Sequence, residues 1–302
     1  MGGDRGAYYS RPDSATQCTT AGQSRRRCPT NARGRGALAG GAALYSPAMS
    51  APILSTRPQA VLYFGTCLVD LLFPRAGLAG MELIRRSGVR VIFPADQSCC
   101  GQPAYNSGYR DEARAVAARQ LKALDGELPI VVPSGSCAGM MRHHYPALLA
   151  DDPLHALAVS VSRRVFELTE FLVDVLALSP DDLGPPLKVA VHSSCSARRE
   201  LGAADRIEHL LGALSNVTVV EQAHKAECCG FGGAFAVKQP AISAAMVGDK
   251  CDALLACGAE VVVSQDCGCL MNIAGALARR GAGPRCLHVA EFLWERTGGH
   301  PL

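Results

Sequence analysis

From Val61 onward, short apolar runs alternate with amphipathic stretches. The runs VLYFGTC (61–67), VRVIFP (89–94) and PIVVPSGSC (129–137) read as buried strands, and DEARAVAARQLKAL (111–124) has the spacing of an amphipathic helix. The pattern then repeats. LKVAVHSSC (187–195), VTVVEQ (217–222) and EVVVSQDCGC (260–269) are predicted strands, and AISAAMVGDKCDALLACG (241–258) is a helix opened by Pro240 and closed by Gly258. Phe166–Leu172 and Leu287–Leu293 correspond as the closing helices of the two halves. Apolar strands alternating with helices predict an α/β fold: duplicated lobes with parallel sheets flanked by helices. The Pro-, Gly- and Asp-rich stretch 178–187 marks the linker, giving lobes at 56–180 and 181–302.

Residues 1–48 break this rhythm. They are rich in Gly, Ala, Ser and Arg, lack periodicity, and are expected to be a disordered extension reaching to about residue 55. The mild apolar run GALAGGAALY after its arginines is short and Gly-rich for a signal peptide. Met49, directly before the ordered pattern, is an alternative translation start.

Charge changes the picture little. The 302-residue chain has a formal charge of +3, but its first 48 residues hold seven arginines against Asp4 and Asp13, leaving 23 basic and 25 acidic residues elsewhere. That balance argues against nucleic acid as a partner. No apolar stretch is long enough to predict a membrane span.

Cysteine is where composition becomes informative, with 14 in the chain. In a chain with a large predicted core, clustered thiols point to metal or redox chemistry in a reducing compartment, here the cytoplasm. In the first lobe 31 residues separate Cys67 from the Cys99-Cys100 pair and 35 separate Gly101 from Cys137; in the second, 32 separate Cys195 from Cys228-Cys229 and 38 separate Gly230 from Cys269. All three points of each set follow a predicted strand, so the fold gathers four thiols at one rim. Four convergent thiolates suit tetrahedral zinc or an iron–sulfur cluster. Zinc usually selects Cys-x₂-Cys knuckles, none of which occurs here, whereas the sulfurs of adjacent cysteines diverge and serve two irons more easily than one ion. Gly101 and Gly230 would let backbone approach a cluster and donate N–H groups to its sulfurs. Cys267 competes with Cys269 for the last place, and the local likeness of GCLM to SCAGM favours Cys269. Cys251, Cys257 and Cys286 have no repeat counterpart and are expected to be buried hydrophobes. His192, three residues before Cys195, is placed either to hydrogen-bond a cluster sulfide or simply to lie in the strand.

These motifs resemble the cysteine-rich CCG domains of heterodisulfide reductase B subunits, glycolate oxidase iron–sulfur subunits and, more closely, the lactate utilization protein A family. The likeness rests on TCLVDLLFP, CCGQPAYNSGYRDEA, PSGSCAGMMRHHYP, CCGFGGAFAVKQPAISAAMVGDK and GCLMNIAG, and extends from about Val61 to the end of the chain. It implies a duplicated iron–sulfur protein, with [4Fe-4S] in one or both lobes, that takes part in oxidising L-lactate to pyruvate. It also implies two companion subunits, one carrying ferredoxin-type clusters. The heterodisulfide reductase pattern ends in Cys-x-x-Cys, but Met140 and Asn272 stand at its last position here, so four thiolates per lobe are expected rather than five. Many relatives carry a histidine where Ser196 stands. A 2-hydroxy acid would need a cation and a base; Arg110, Arg142, His143 and Lys238 follow cysteine motifs, and with His192 they are the candidates. The alternatives are a heterodisulfide-reductase-like thiol–disulfide oxidoreductase and a zinc-stabilised structural protein.

Overall fold

The computed structural model describes residues 52–54, 56–281 and 283–302. Of the extension expected to reach about residue 55, residues 1–51 and 55, with the alternative start at Met49 among them, lie outside the described residues. Two four-stranded, all-parallel sheets are present. The first is built from β1 (Ala60–Tyr63), β2 (Arg90–Ile92), β3 (Ile130–Val132) and β4 (Val165–Glu167), in the spatial order β2-β1-β3-β4. The second has the same order, β6-β5-β7-β8, from β5 (Leu187–His192), β6 (Val217–Val219), β7 (Val261–Ser264) and β8 (Arg285–His288). The registers begin Ala60 opposite Arg90 in one sheet and Leu187 opposite Val217 in the other. The duplicated α/β architecture is therefore as the periodicity predicts.

The sequence pattern understates the strand count. The stretches read as closing helices each begin with a strand, β4 and β8. These strands are only three and four residues long and run straight into the following helix, so no turn signal separates the two periods.

Parallel strands require helical crossovers, and those that frame the site are α1 (Cys67–Leu72), α2 (Pro74–Arg86), α3 (Arg110–Ala123), α4 (Gly135–Gly139), α5 (Cys195–Arg199), α6 (Pro240–Ala256), α7 (Cys267–Arg279) and α8 (Val289–Arg296). Strands β1, β3 and β7 are buried throughout, as continuous apolar runs should be when helices cover both faces. One core joins the sheets: Val61, Tyr63, Leu83, Phe166 and Phe171 pack in the same cluster as Val189, Val191, Ile207, Val263, Phe292 and Trp294. The connection between the sheets is pinned as well, since Asp182 pairs with Arg296 at 2.6 Å.

In the order 2-1-3-4 the winding reverses between the first and third strands, and a crevice opens there beyond the carboxyl ends. β1 and β3 meet at this point in the first sheet, β5 and β7 in the second. The cysteines follow those strands.

Candidate metal centre

Helix starts place the sulfurs. Cys67 and Cys195 are the first residues of α1 and α5, capped by Thr66 and Ser194; Cys137 and Cys269 are the third residues of α4 and α7, capped by Ser134 and Asp266. The CCG turns bring the remaining pair in from the ends of β2 and β6. Gly101 and Gly230 adopt φ of 84° and 79°, a left-handed conformation that only glycine takes cheaply, and each donates its N–H to the sulfur two residues back at 3.4 Å, Cys99 and Cys228 respectively. Thr66 sits at φ 55°, costly for a β-branched residue, immediately before Cys67.

In the first lobe Cys67 Sγ lies 3.7 Å from Cys99 Sγ, and Cys100 Sγ lies 3.2 Å from Cys137 Sγ. Cys195, Cys228, Cys229 and Cys269 interact in the same order in the second. Cys269 rather than Cys267 joins the set; Cys267 packs with Val69 and Ala76 of the first lobe. Cys251 is buried in the second-lobe core, where Cys257 and Cys286 lie half-buried against it.

Each set stabilises one thiolate. Hydrogen bonds from Cys100 and Cys67 hold Cys99 down at about 3, and bonds from Cys195 and Cys229 hold Cys228 at about 2. Their donors move the other way, Cys67, Cys100, Cys195 and Cys229 all being pushed up. A metal entering either set must displace those protons, so its affinity rises with pH. His192 is fully buried and held neutral, at about 3, chiefly by burial and then by Lys250.

Several residues around the thiols, Gln120, Lys250, Tyr145 and Asp266 among them, are absent from the sequence reading. Gln120 on α3 accepts from Ser98 N at 2.8 Å and donates to Ser98 Oγ at 2.7 Å, fixing the first CCG turn. Lys250, at the equivalent place on α6, donates to His224 O at 2.6 Å. Tyr145 Oη donates to Cys100 O at 2.9 Å, and Asn272 Nδ2 to Cys229 O at 2.7 Å. Asn272 and the fully buried Met140 thus do structural duty where heterodisulfide reductase carries further cysteines. Asp266 crosses between lobes: its Oδ2 accepts from Ser134 Oγ and Ser136 N, both at 3.1 Å. A buried polar residue at a predicted strand end was the available signal for Asp266.

The other candidate groups do not converge. Arg142 is wholly buried, its guanidinium bound to Glu170 at 3.0 and 2.5 Å and to Val165 O at 2.7 Å, so it holds the π-helical turn Met140–His144 that follows α4 to β4 instead of facing the rim. Arg110 is exposed over the Tyr105 ring at 5.3 Å, and Lys238 reaches across the lobes over Tyr109 at 5.0 Å. His143 is half-buried, its pKa lowered by burial and by Arg142. A cleft of about 280 Å³ adjoins Cys67 and Cys99, lined among others by Thr66, Asp70, Phe93 and Gln97, and among the described residues no Lys, Arg or His lines it.

A duplicated α/β scaffold with four thiols at each switch point defines a cysteine-rich (CCG) domain protein, and the pattern of that family, the cysteine-rich domain, matches residues 61–142 and 189–274. The chain belongs to the lactate utilization protein A family. It is 45% identical over 239 residues to Lactate utilization protein A of Exiguobacterium sp., covering 78% of this chain and 97% of that one. It is 42% identical over 236 residues to the protein of the same name from Macrococcus caseolyticus, covering 77% and 95%. Among solved structures, a hypothetical protein from Helicobacter pylori shares the fold with a TM-score of 0.58 at 11% identity; the likeness covers 84% of this chain and 52% of that protein, about half its length. Among the described residues no helix is long and apolar enough to cross a membrane.

Proposed function

We propose that the chain is the iron–sulfur electron-transfer subunit of a multi-subunit cytoplasmic complex that oxidises L-lactate to pyruvate, working with two companion subunits, one of them carrying ferredoxin-type clusters. The observation that carries this reading is the matched set of four thiols at each switch point, in a chain whose relatives are named for lactate utilization. Cys67, Cys99, Cys100 and Cys137 would hold one cluster, and Cys195, Cys228, Cys229 and Cys269 a second. The donor set suits the group: sulfur ligands, one thiol in each lobe pushed toward its thiolate form by hydrogen bonds from its neighbours, and a backbone N–H from Gly101 or Gly230 directed at it. A bound cluster supplies one-electron exchange, whereas lactate oxidation releases two electrons and two protons.

The surroundings favour transfer over substrate chemistry. A lactate carboxylate calls for a cation, yet the cleft beside Cys67 offers Asp70, and Arg142 is committed to Glu170. The protein's own residues therefore position sulfur, while lactate is handled by a companion.

One distance favours a second reading. Tetrahedral zinc with sulfur at about 2.3 Å has an edge of about 3.8 Å, close to the 3.7 Å between Cys67 and Cys99, although the 3.2 Å between Cys100 and Cys137 is too short for it. Anaerobic purification followed by iron, acid-labile sulfide and zinc analysis decides between them. Iron and sulfide in equal amounts, about four of each per loaded lobe, are expected; zinc without sulfide overturns the redox reading. Cys99→Ser and Cys228→Ser should each remove the metal of one lobe.

A further inference from the structure

The lobes match thiol for thiol, yet the buried position three residues before the leading cysteine differs: Phe64 precedes Cys67, and His192 precedes Cys195. Phe64 is fully buried among apolar neighbours that include Cys100 and Cys137, and needs nothing more. His192 is 1% exposed at the end of β5, and neither Nδ1 nor Nε2 has a hydrogen-bond partner among the described residues.

A neutral imidazole has one donor and one acceptor nitrogen, and burying either without a partner costs about 1–3 kcal/mol. A chain that tolerates both has a use for them. A ring nitrogen of His192 and the sulfurs of Cys229 and Cys269 all lie within 4.8 Å of one another. Lys250 is no acceptor for the ring, because its ammonium carries only donors and already donates to His224 O. The acceptor nitrogen therefore has an electrophile missing, and the sulfurs beside it are where a metal would sit.

We propose that His192 is a metal ligand of the second-lobe centre, binding through imidazole nitrogen beside Cys229 and Cys269, so that the second centre is a mixed sulfur–nitrogen site and the first an all-sulfur one. The inference rests on the reading that these thiols hold a metal. It raises the second lobe's potential donors to five, four thiols and an imidazole, against four in the first. It also gives the duplication a physical consequence: two sites of one ancestry need not have equal affinity or equal potential, because a neutral nitrogen donor has replaced an apolar wall.

The test uses the full chain grown with ¹⁵N-histidine, loaded anaerobically with iron and sulfide, reduced by one electron per cluster with dithionite to reach the paramagnetic state, and read by pulsed electron paramagnetic resonance; a chain found to carry zinc is exchanged with cobalt(II) and read the same way. The wild type should show the strong coupling of a directly bound histidine nitrogen. His192→Gln, close in size, and His192→Phe, which installs the first lobe's residue, should both lose it while circular dichroism remains native. A wild type without that coupling, or a coupling that survives both substitutions, overturns the proposal while the metal reading stands. A chain that binds no iron, cobalt or zinc overturns both.

Discussion

Glu167 and His288 occupy the same place in the two lobes. Each ends its sheet's last strand and caps the helix that follows, Glu167 accepting from Thr169 N at 2.8 Å and His288 Nδ1 from Ala290 N at 3.2 Å. Burial drives both neutral, Glu167 up to about 8 and His288 down to about 4. The two act on stability in opposite directions. As pH rises from about 4.5 to 8 the unfolded chain ionises at Glu167 while the folded chain stays protonated, so stability falls. As pH falls from about 6.5 to 4 the unfolded chain protonates at His288 while the folded chain does not, and stability falls again. Glu167→Gln keeps an accepting oxygen for the cap and should flatten the alkaline limb alone, seen as denaturation midpoints that no longer drop between pH 5 and 8; an unchanged slope would refute it. Arg142 is a harder lesson. Removing it strands Glu170 in the core, and Arg142→Ala should cost about 3–5 kcal/mol in urea titration, as for other broken buried pairs. Sequence reasoning made this arginine a rim candidate because it follows a cysteine motif, whereas its partner lies 28 residues away, beyond any local pattern. The repeated cysteines were legible for the opposite reason, since duplication wrote the same spacing twice.

Helix starts are the elements on which the site depends. Four of them carry sulfur at the first or third position, and this follows from strand-ending motifs with Thr, Ser or Asp before the cysteine, a pattern open to inspection in the sequence. What could not be read was how starts from different lobes meet. Asp266 caps α7 through Gly268 N at 3.0 Å and, with its other oxygen, takes Ser134 Oγ and Ser136 N at the start of α4. The contact joins residues 130 or more apart in the chain, and nothing in periodicity encodes it. β4 and β8 escaped for a smaller reason, being too short to show a period of their own. Asp266→Ala removes one cap and two cross-lobe hydrogen bonds, both accepted by one carboxylate oxygen, so about 2–4 kcal/mol should be lost. Because the contact ties Cys137 to Cys269, metal retention should fall in both lobes together. Loss confined to the second lobe would show that Asp266 serves α7 alone.

At the scale of the whole molecule, duplication has not produced two independent bodies. α2 and α8 pack together across the lobes, Arg86 stacks over the Trp294 ring at 3.7 Å, and the apolar core runs without a break from Phe171 to Phe292. Lobes that bury surface against each other in this way lose it together, so unfolding should be one cooperative event. The chain supplies its own reporter, because Trp294 is its single tryptophan and belongs to the second lobe. Phe171 belongs to the first, is fully buried, and meets Phe166 edge-on at 5.7 Å. Phe171→Ala should cost about 3–5 kcal/mol through lost burial and the cavity left behind. If the core is shared, that loss appears in full at Trp294: the fluorescence transition and the far-ultraviolet circular dichroism transition move to lower denaturant by the same amount and remain superimposed. A circular dichroism curve that splits, with an early step that Trp294 does not register, would mean that the first lobe unfolds by itself. The two centres would then owe their relative placement to the linker and to Asp266, and no longer to the core between the sheets.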